Sequence, residues 1–303
     1  MGFLGNVGGN CLMNDVYGVD PAAPSNFRDF AQLMRVFEAG HGRFIANFPV
    51  EWFRDLRAHM KSLPDIQQLQ VLETWLDVGR AAVVPLNTRF NPAWSWAENA
   101  MALTGQVRKI IGREGCAATM EPLEKVLMDP NGFPDARGGH ISRTARAYAE
   151  VARPLLQTSP KVVLVDPYFK LRYFDQKSGV FRRSDRHWKS LSAILEEAIR
   201  WKRVEIFRLM VSDDEALKGD PDGNVFSSNL EQVVKEAGAA KIIHIEWDLL
   251  DRNVSTERHP RYLLGMASGL HFDWGFDTGD VNTTNHIAWM GRSVLEPLLR
   301  NFT

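Results

Sequence analysis

The chain has 303 residues, 45% of them hydrophobic and 24% charged, and a formal net charge of −1. That is enough chain for two cores of ordinary size, and the near-neutral balance excludes a generally basic nucleic-acid coat while leaving room for local patches. No run approaches the roughly 18 to 20 apolar residues of a membrane-spanning helix, and the two cysteines, Cys11 and Cys116, are too few and too far apart for a disulfide framework or a cysteine zinc site.

The opening Met1-Gly2-Phe3-Leu4-Gly5-Asn6 lacks the basic start of a secretory signal, so a cytoplasmic protein is expected. Residues 1–26 are rich in Gly, Asn and Pro and read as a mobile or loosely docked N-terminal arm. Within it, Gly5-Asn6-Val7-Gly8-Gly9-Asn10 is not a phosphate loop, because no apolar strand precedes it and no Lys-Ser or Lys-Thr follows. From 27 to 157 helical spacing dominates. Phe30, Leu33, Met34 and Phe37 form one apolar stripe, and Trp52, Phe53, Leu56 and Met60 form another. Further helices are expected at about 66–82, 94–111 and 140–157, with Arg43–Phe48 as a short strand or buried connector, which makes 27–157 a mainly α-helical domain.

The pattern changes after Thr158-Ser159-Pro160. Lys161–Val165 is β-branched and apolar and runs into Asp166-Pro167-Tyr168-Phe169, the signature of a buried strand ending at a functional edge. An amphipathic helix over about 187–201, a strand at 204–211, a helix at 228–237 and a strand at 241–247 follow. This β-α-β-α-β succession predicts parallel strands with right-handed crossovers. A hairpin then carries His259-Pro260-Arg261 on one strand and closes on Asp273-Trp274-Gly275-Phe276-Asp277, before a terminal helix at 291–302. The second half, 160–303, is thus an α/β domain, a mixed sheet with flanking helices.

The Asp166-Pro167-Tyr168 strand end, His187 at the next helix start, His259 with Arg261, and Gly275-Phe276-Asp277 occur in an order that resembles the phospholipase D-like superfamily. The resemblance covers about 160–280 and is nearest to the phospholipase D-like domain at the C-terminus of MIT-domain proteins. It implies a phospholipase D-like fold for this half and action on a phosphodiester. Catalytic members of the superfamily carry His-x-Lys with an aspartate four residues after the lysine. Here Arg261 takes the lysine's place and Leu264-Gly265-Met266 leads into a turn, which leaves the aspartate's role to Asp273 or Asp277. The MIT-type relatives are binding modules for membrane lipids and partners.

Chemistry on a phosphodiester needs a nucleophile, a cation and an orienting acid. His259 is the candidate nucleophile, Arg261 the bidentate clamp on non-bridging oxygens, Asp277 the holder of an imidazole tautomer, and His187, in a His-Trp-Lys triplet, the second histidine and general acid. Asp166 and Tyr168 lie where parallel strands present ligands. Eleven Lys and Arg against five acids fall between 170 and 208, with aromatics interleaved. Arg182, Arg183, Arg186 and Lys189 therefore read as a path for a nucleic-acid backbone. The acidic run Asp213-Asp214-Glu215 with Asp220 and Asp222 lacks the spacing of a calcium loop, and no metal or cofactor is expected. Two functions fit. One is a metal-independent phosphodiesterase, a nuclease of the kind found in bacterial defence, working as a homodimer. The other is an inactive phospholipase D-like module that binds nucleic acid, anionic lipid or a protein partner within a larger assembly.

Overall fold

A computed structural model of the chain describes residues 15–64, 73–74, 76, 79, 82–113, 120–129, 133, 137–220, 222–250, 261–280 and 282–302. The stretches Gly5–Asn10, Cys11, Cys116 and His259, singled out in the sequence, lie outside the described residues.

The first half is built on a parallel sheet. In chain order it contains β1 (Asp15–Val19), α1 (Phe27–Val36), β2 (Arg43–Ala46), α2 (Trp52–Ser62), β3 (Val83–Val84), α3 (Trp96–Ala100), β4 (Ile110–Gly112), β5 (Met120–Pro122) and α4 (Leu123–Met128). The strands lie in the order β3-β2-β1-β4-β5, all pairs parallel. The expectation of a mainly helical domain is therefore corrected to a doubly wound α/β arrangement. The reason is length: strands of two to five residues, most of them largely buried, leave too little alternation to read beside helices with strong apolar stripes. Residues 15–19, assigned to the arm, form the central strand. The helix expected at 94–111 is a single turn and a half, capped by Ser95 and Glu98, followed by a 3-10 turn and β4. Of the helix expected at 66–82, Glu73, Thr74, Leu76 and Gly79 are helical and most of the rest lies outside the described residues.

The second half continues with β6 (Gly138–Ser142), α5 (Ala145–Thr158), β7 (Lys161–Val165), β8 (Arg172–Asp175), β9 (Val180–Arg183), α6 (Asp185–Trp201), β10 (Ile206–Val211), α7 (Asn224–Glu236), β11 (His244–Leu249), β12 (Tyr262–Leu264), β13 (Gly269–Phe272), β14 (Thr284–Met290) and α8 (Arg292–Phe302). Seven strands form one mixed sheet in the order β11-β10-β7-β12-β13-β14-β6. β11, β10 and β7 are parallel, and from β12 onward the pairing is antiparallel. As expected, the strand ending at Asp166 is interior and the hairpin lies directly beside it. Three features were not read from the sequence: β14, the small β8–β9 hairpin, and β6, which brings residues 138–158 into this sheet. A single helix at 140–157 is corrected to a strand and a helix, because Thr144 caps α5 by accepting the Ala147 N–H. Asp220, grouped in the sequence with the acidic run Asp213-Asp214-Glu215, is buried and accepts the Phe226 N–H at 2.8 Å near the start of α7.

Alternation along the strands divides the core. Val162 and Leu164 of β7 and Phe207, Leu209 and Val211 of β10 face a large cluster under α5, α6 and α7. Val163, Val165 and Met210 point to the other face, where Leu295 and Phe302 of α8 cover them. The large cluster runs on into the first half through Tyr17 and Phe44. Phe44 of β2 meets Trp289 of β14 edge-on at 5.3 Å between centroids. Beside this contact the backbones approach so closely that a Cβ on Gly40 would collide with the Gly291 main chain. Because Trp289 packs at the junction, Trp289→Ala is expected to cost about 3–5 kcal/mol. It should lower amide-exchange protection in β1 and β2 as well as in β14; loss confined to β14 would show that the halves are energetically separate.

Candidate functional site

The strand register sets up the site. Val165, the last residue of β7, pairs with Tyr262, the first of antiparallel β12, and Tyr262 pairs with His271 near the end of β13. Thr284 at the start of β14 pairs with Ser142 at the end of β6. Asp166, Arg261, the segment 273–277 and Arg143 therefore all leave the sheet at one edge. The N-terminus of α6 and the β8–β9 hairpin complete an open cavity of about 790 Å³ lined by Asp166, Tyr168, Lys170, Arg183, His187, Arg261, Trp274 and Asp277, among others.

Asp166 is its anchor. The residue is 1% exposed. Its Oδ1 accepts the Tyr168 N–H at 2.9 Å, and its Oδ2 accepts the Phe276 N–H at 3.0 Å. Burial pushes the carboxyl up to about 6; the two backbone N–H groups and the Arg261 guanidinium oppose that rise, and Asp277 adds to it. The loop that delivers the Phe276 N–H passes through Gly275 at φ +81, where a Cβ would lie 2.6 Å from Asp166 Oδ2. Buried side chains hold the loop from behind. Asn285 donates to the Gly275 carbonyl at 2.9 Å and accepts the Trp274 N–H at 3.0 Å, and the Tyr148 hydroxyl donates to the Gly275 carbonyl at 3.1 Å. Ser190 of α6 donates to the Phe276 carbonyl.

Around this frame the cavity lining is cationic. Arg143, Lys170, Arg183, Arg186 and Arg261 face Asp166, Asp185 and Asp277. Arg261 donates from one Nη to the Asp273 carbonyl at 2.6 Å and lies over the Tyr168 ring, 4.8 Å from its centroid. Arg143 pairs with Asp277, which also lies 4.0 Å from Arg186. The Nε atoms of Arg143 and Arg261 are both buried and find no acceptor among the described residues. Buried donors of this kind are costly unless something pairs with them. His187 is buried at the start of α6, its Nδ1 3.3 Å from Ser184 Oγ and its ring edge-on to Phe169 at 4.9 Å.

Of the residues read from the sequence, Asp166, Tyr168, Arg183, Arg186, His187, Arg261 and Asp277 line one cavity. Arg182 does not line it: its guanidinium pairs with Asp175 at 2.8 Å on the hairpin. Lys189 is exposed on α6, one residue beyond Trp188, and is also not part of the lining. His259 lies outside the described residues, two positions before Arg261 in the chain. Asp166, read as a ligand contact, lines the cavity and accepts a backbone N–H on each of its oxygens. Asp277, read as the holder of an imidazole, is held by Arg143 and Arg186. Sequence reasoning gave no role to Arg143 or Ser184, counted Asp185 only as an acid within the basic stretch, placed Lys170 and Tyr173 only within that stretch of cations and aromatics, and quoted Trp274 only as part of the hairpin. Thr144 as a helix cap was the available signal for Arg143, since it places the arginine on the loop before α5.

Among the described residues there is no group of three or more His, Cys, Asp or Glu side chains that could hold a metal ion, and no helix is long and apolar enough to cross a membrane. No family model matches the chain, and no curated protein matches it. Among solved structures, TrmBL2, described as an archaeal chromatin protein with a novel mode of DNA binding, aligns at a TM-score of 0.26 and 12% identity over 54% of this chain and 50% of that one. The chain thus spans half the length of that protein, and at this TM-score the likeness carries no argument about fold or function.

The raised Asp166 carboxyl fixes a pH signature. It holds its proton more tightly folded than unfolded, so its contribution to stability is fully present below the ordinary value of 3.8 and is lost as pH rises through about 6. Denaturant unfolding is expected to show a wild-type advantage over Asp166→Asn that shrinks by roughly 3 kcal/mol across this window. A constant difference would mean that the carboxyl titrates normally. Gly275→Ala should destabilise the fold at every pH, since both the positive φ and the contact with Asp166 oppose a Cβ.

Proposed function

We propose that the cavity binds the phosphate of a phosphodiester, and that the chain is a phospholipase D-like phosphodiesterase acting on nucleic acid. The observation that carries the reading is the convergence of five cations, Arg143, Lys170, Arg183, Arg186 and Arg261, on the lining of a cavity at the carboxyl end of β7. A phosphate offers such a lining negative charge and oxygen acceptors in an array that suits the guanidinium fork. Crevices beyond the carboxyl ends of parallel strands are where α/β folds bind ligands.

On this reading the reaction proceeds by double displacement. An imidazole nitrogen of His259 attacks phosphorus, the P–O bond to the leaving strand breaks, and His187 gives that oxygen a proton. Water activated by His187 then attacks the phosphohistidine, releasing the phosphate and regenerating both imidazoles. Arg261 and Arg143 carry the charge on the non-bridging oxygens. A second reading, an inactive module that binds the same phosphate, is favoured by one feature: Arg261 stands where catalytic relatives carry lysine, and one of its Nη groups is committed to the Asp273 carbonyl.

Fluorescence polarisation with labelled oligonucleotides tests the shared claim. Arg183→Glu with Arg186→Glu should weaken binding strongly and reduce the log–log salt slope by roughly 0.7 to 0.9 for each phosphate no longer neutralised, whereas Arg182→Glu, outside the lining and already paired with Asp175, should have a smaller effect. Equal effects at all three positions would point to a diffuse charged surface. Cleavage that persists in EDTA and disappears in His259→Ala, with binding retained, would identify the enzyme. Binding without cleavage in wild type would identify the module, and strict dependence on a divalent metal would exclude the histidine mechanism.

A further inference from the structure

Three aromatic side chains line the same cavity and remain exposed: Tyr168, Tyr173 and Trp274. Trp274 is 65% exposed, although its backbone is firmly held. Its N–H is donated to buried Asn285, its neighbour Gly275 is bonded by both Asn285 and Tyr148, and Phe276 is tied to Asp166. The indole is thus presented to solvent by a rigid loop. Tyr173 stands on β8 beside the cavity. Tyr168 follows the Asp166-Pro167 corner and has the Arg261 guanidinium over its ring.

We infer that these rings form a stacking platform, and that the ligand of the site is single-stranded nucleic acid. The inference rests on the phosphate reading above and narrows it to one class of substrate. Every base has a π-face, so an exposed aromatic beside a cationic phosphate site holds a base whatever its sequence. In a duplex those faces are stacked on one another and unavailable. A cavity of about 790 Å³ is of the size that takes small-molecule-sized groups, so it admits a nucleotide or two from a flexible strand and not a duplex. Anionic lipid headgroups would meet the same cations, but rings set in a cavity lining beside Lys170, Arg183, Asp185 and Arg186 suit a strand that enters the cavity better than a flat bilayer surface.

The test uses the full chain with four probes: a fluorescent oligo-dT, an oligo-rU, a duplex of equal length, and vesicles containing phosphatidylserine. Wild type should bind both single strands at least tenfold more tightly than the duplex or the vesicles. Trp274→Ala should lose about tenfold or more on the single strands, Trp274→Phe should recover most of it, and neither should alter the salt slope, because no charge is removed. An unchanged thermal unfolding midpoint in Trp274→Ala would show that the loss is not misfolding. Equal affinity for duplex, preference for vesicles, or an unaffected Trp274→Ala would overturn the stacking inference. If Arg183→Glu with Arg186→Glu still weakens binding in that case, the phosphate reading stands alone. If wild type binds none of the probes, both fall.

Discussion

A single buried carboxylate holds the site together. Asp166 ends an interior strand almost fully buried, and a carboxyl in that position is tolerated because two backbone N–H groups and a nearby guanidinium partly offset its desolvation. One of those N–H groups belongs to its own turn, Tyr168; the other belongs to Phe276, 110 residues later in the chain. The bond to Phe276 fixes the far loop against the strand end. Gly275, Asn285 and Tyr148 then leave that loop one conformation. Remove the carboxylate and the buried N–H of Phe276 has no acceptor. Trp274 and Asp277 would lose their setting together.

The mixed character of the sheet makes this geometry possible. Parallel strands β11, β10 and β7 bring their carboxyl ends to one edge, and antiparallel β12 begins at that same edge because its first residue pairs with the last of β7. Arg261 therefore sits beside Asp166 without any long connection having to bend toward it. The far side of the sheet repeats the device, with β6 ending and β14 beginning at the same edge and Arg143 emerging there. Cations from remote parts of the chain converge because the strand directions oblige them to.

How much of this was legible in the sequence depended on whether the signal was local. β7 was readable because Lys161–Val165 is an apolar run closed by Asp-Pro, and α6 because its stripe is long. The short strands of the first half were not, since Val83–Val84 or Ile110–Gly112 becomes a strand only when its neighbours dock. The grouping of Asp166, His187, Arg261 and Asp277 was suggested by their order along the chain. Their roles were not legible: whether a carboxylate faces ligand or holds a loop is decided by partners far away, Phe276 for Asp166 and Arg143 for Asp277. Arg182 and Arg183 are adjacent in sequence, yet Arg182 is taken up by Asp175 and only Arg183 is part of the cavity lining.

The central claim is that the cavity cations take a phosphate, and the side chains of Arg143 and Arg261, which line the cavity, report on it most directly. Their NMR resonances can be followed while a dinucleotide monophosphate is titrated into protein labelled at arginine. Saturable shifts are expected for Arg143 and Arg261, as an anion arrives beside their guanidinium groups, with smaller shifts at Arg182, which does not line the cavity. Shifts at Arg182 and other surface arginines, with Arg143 and Arg261 unchanged, would contradict the claim.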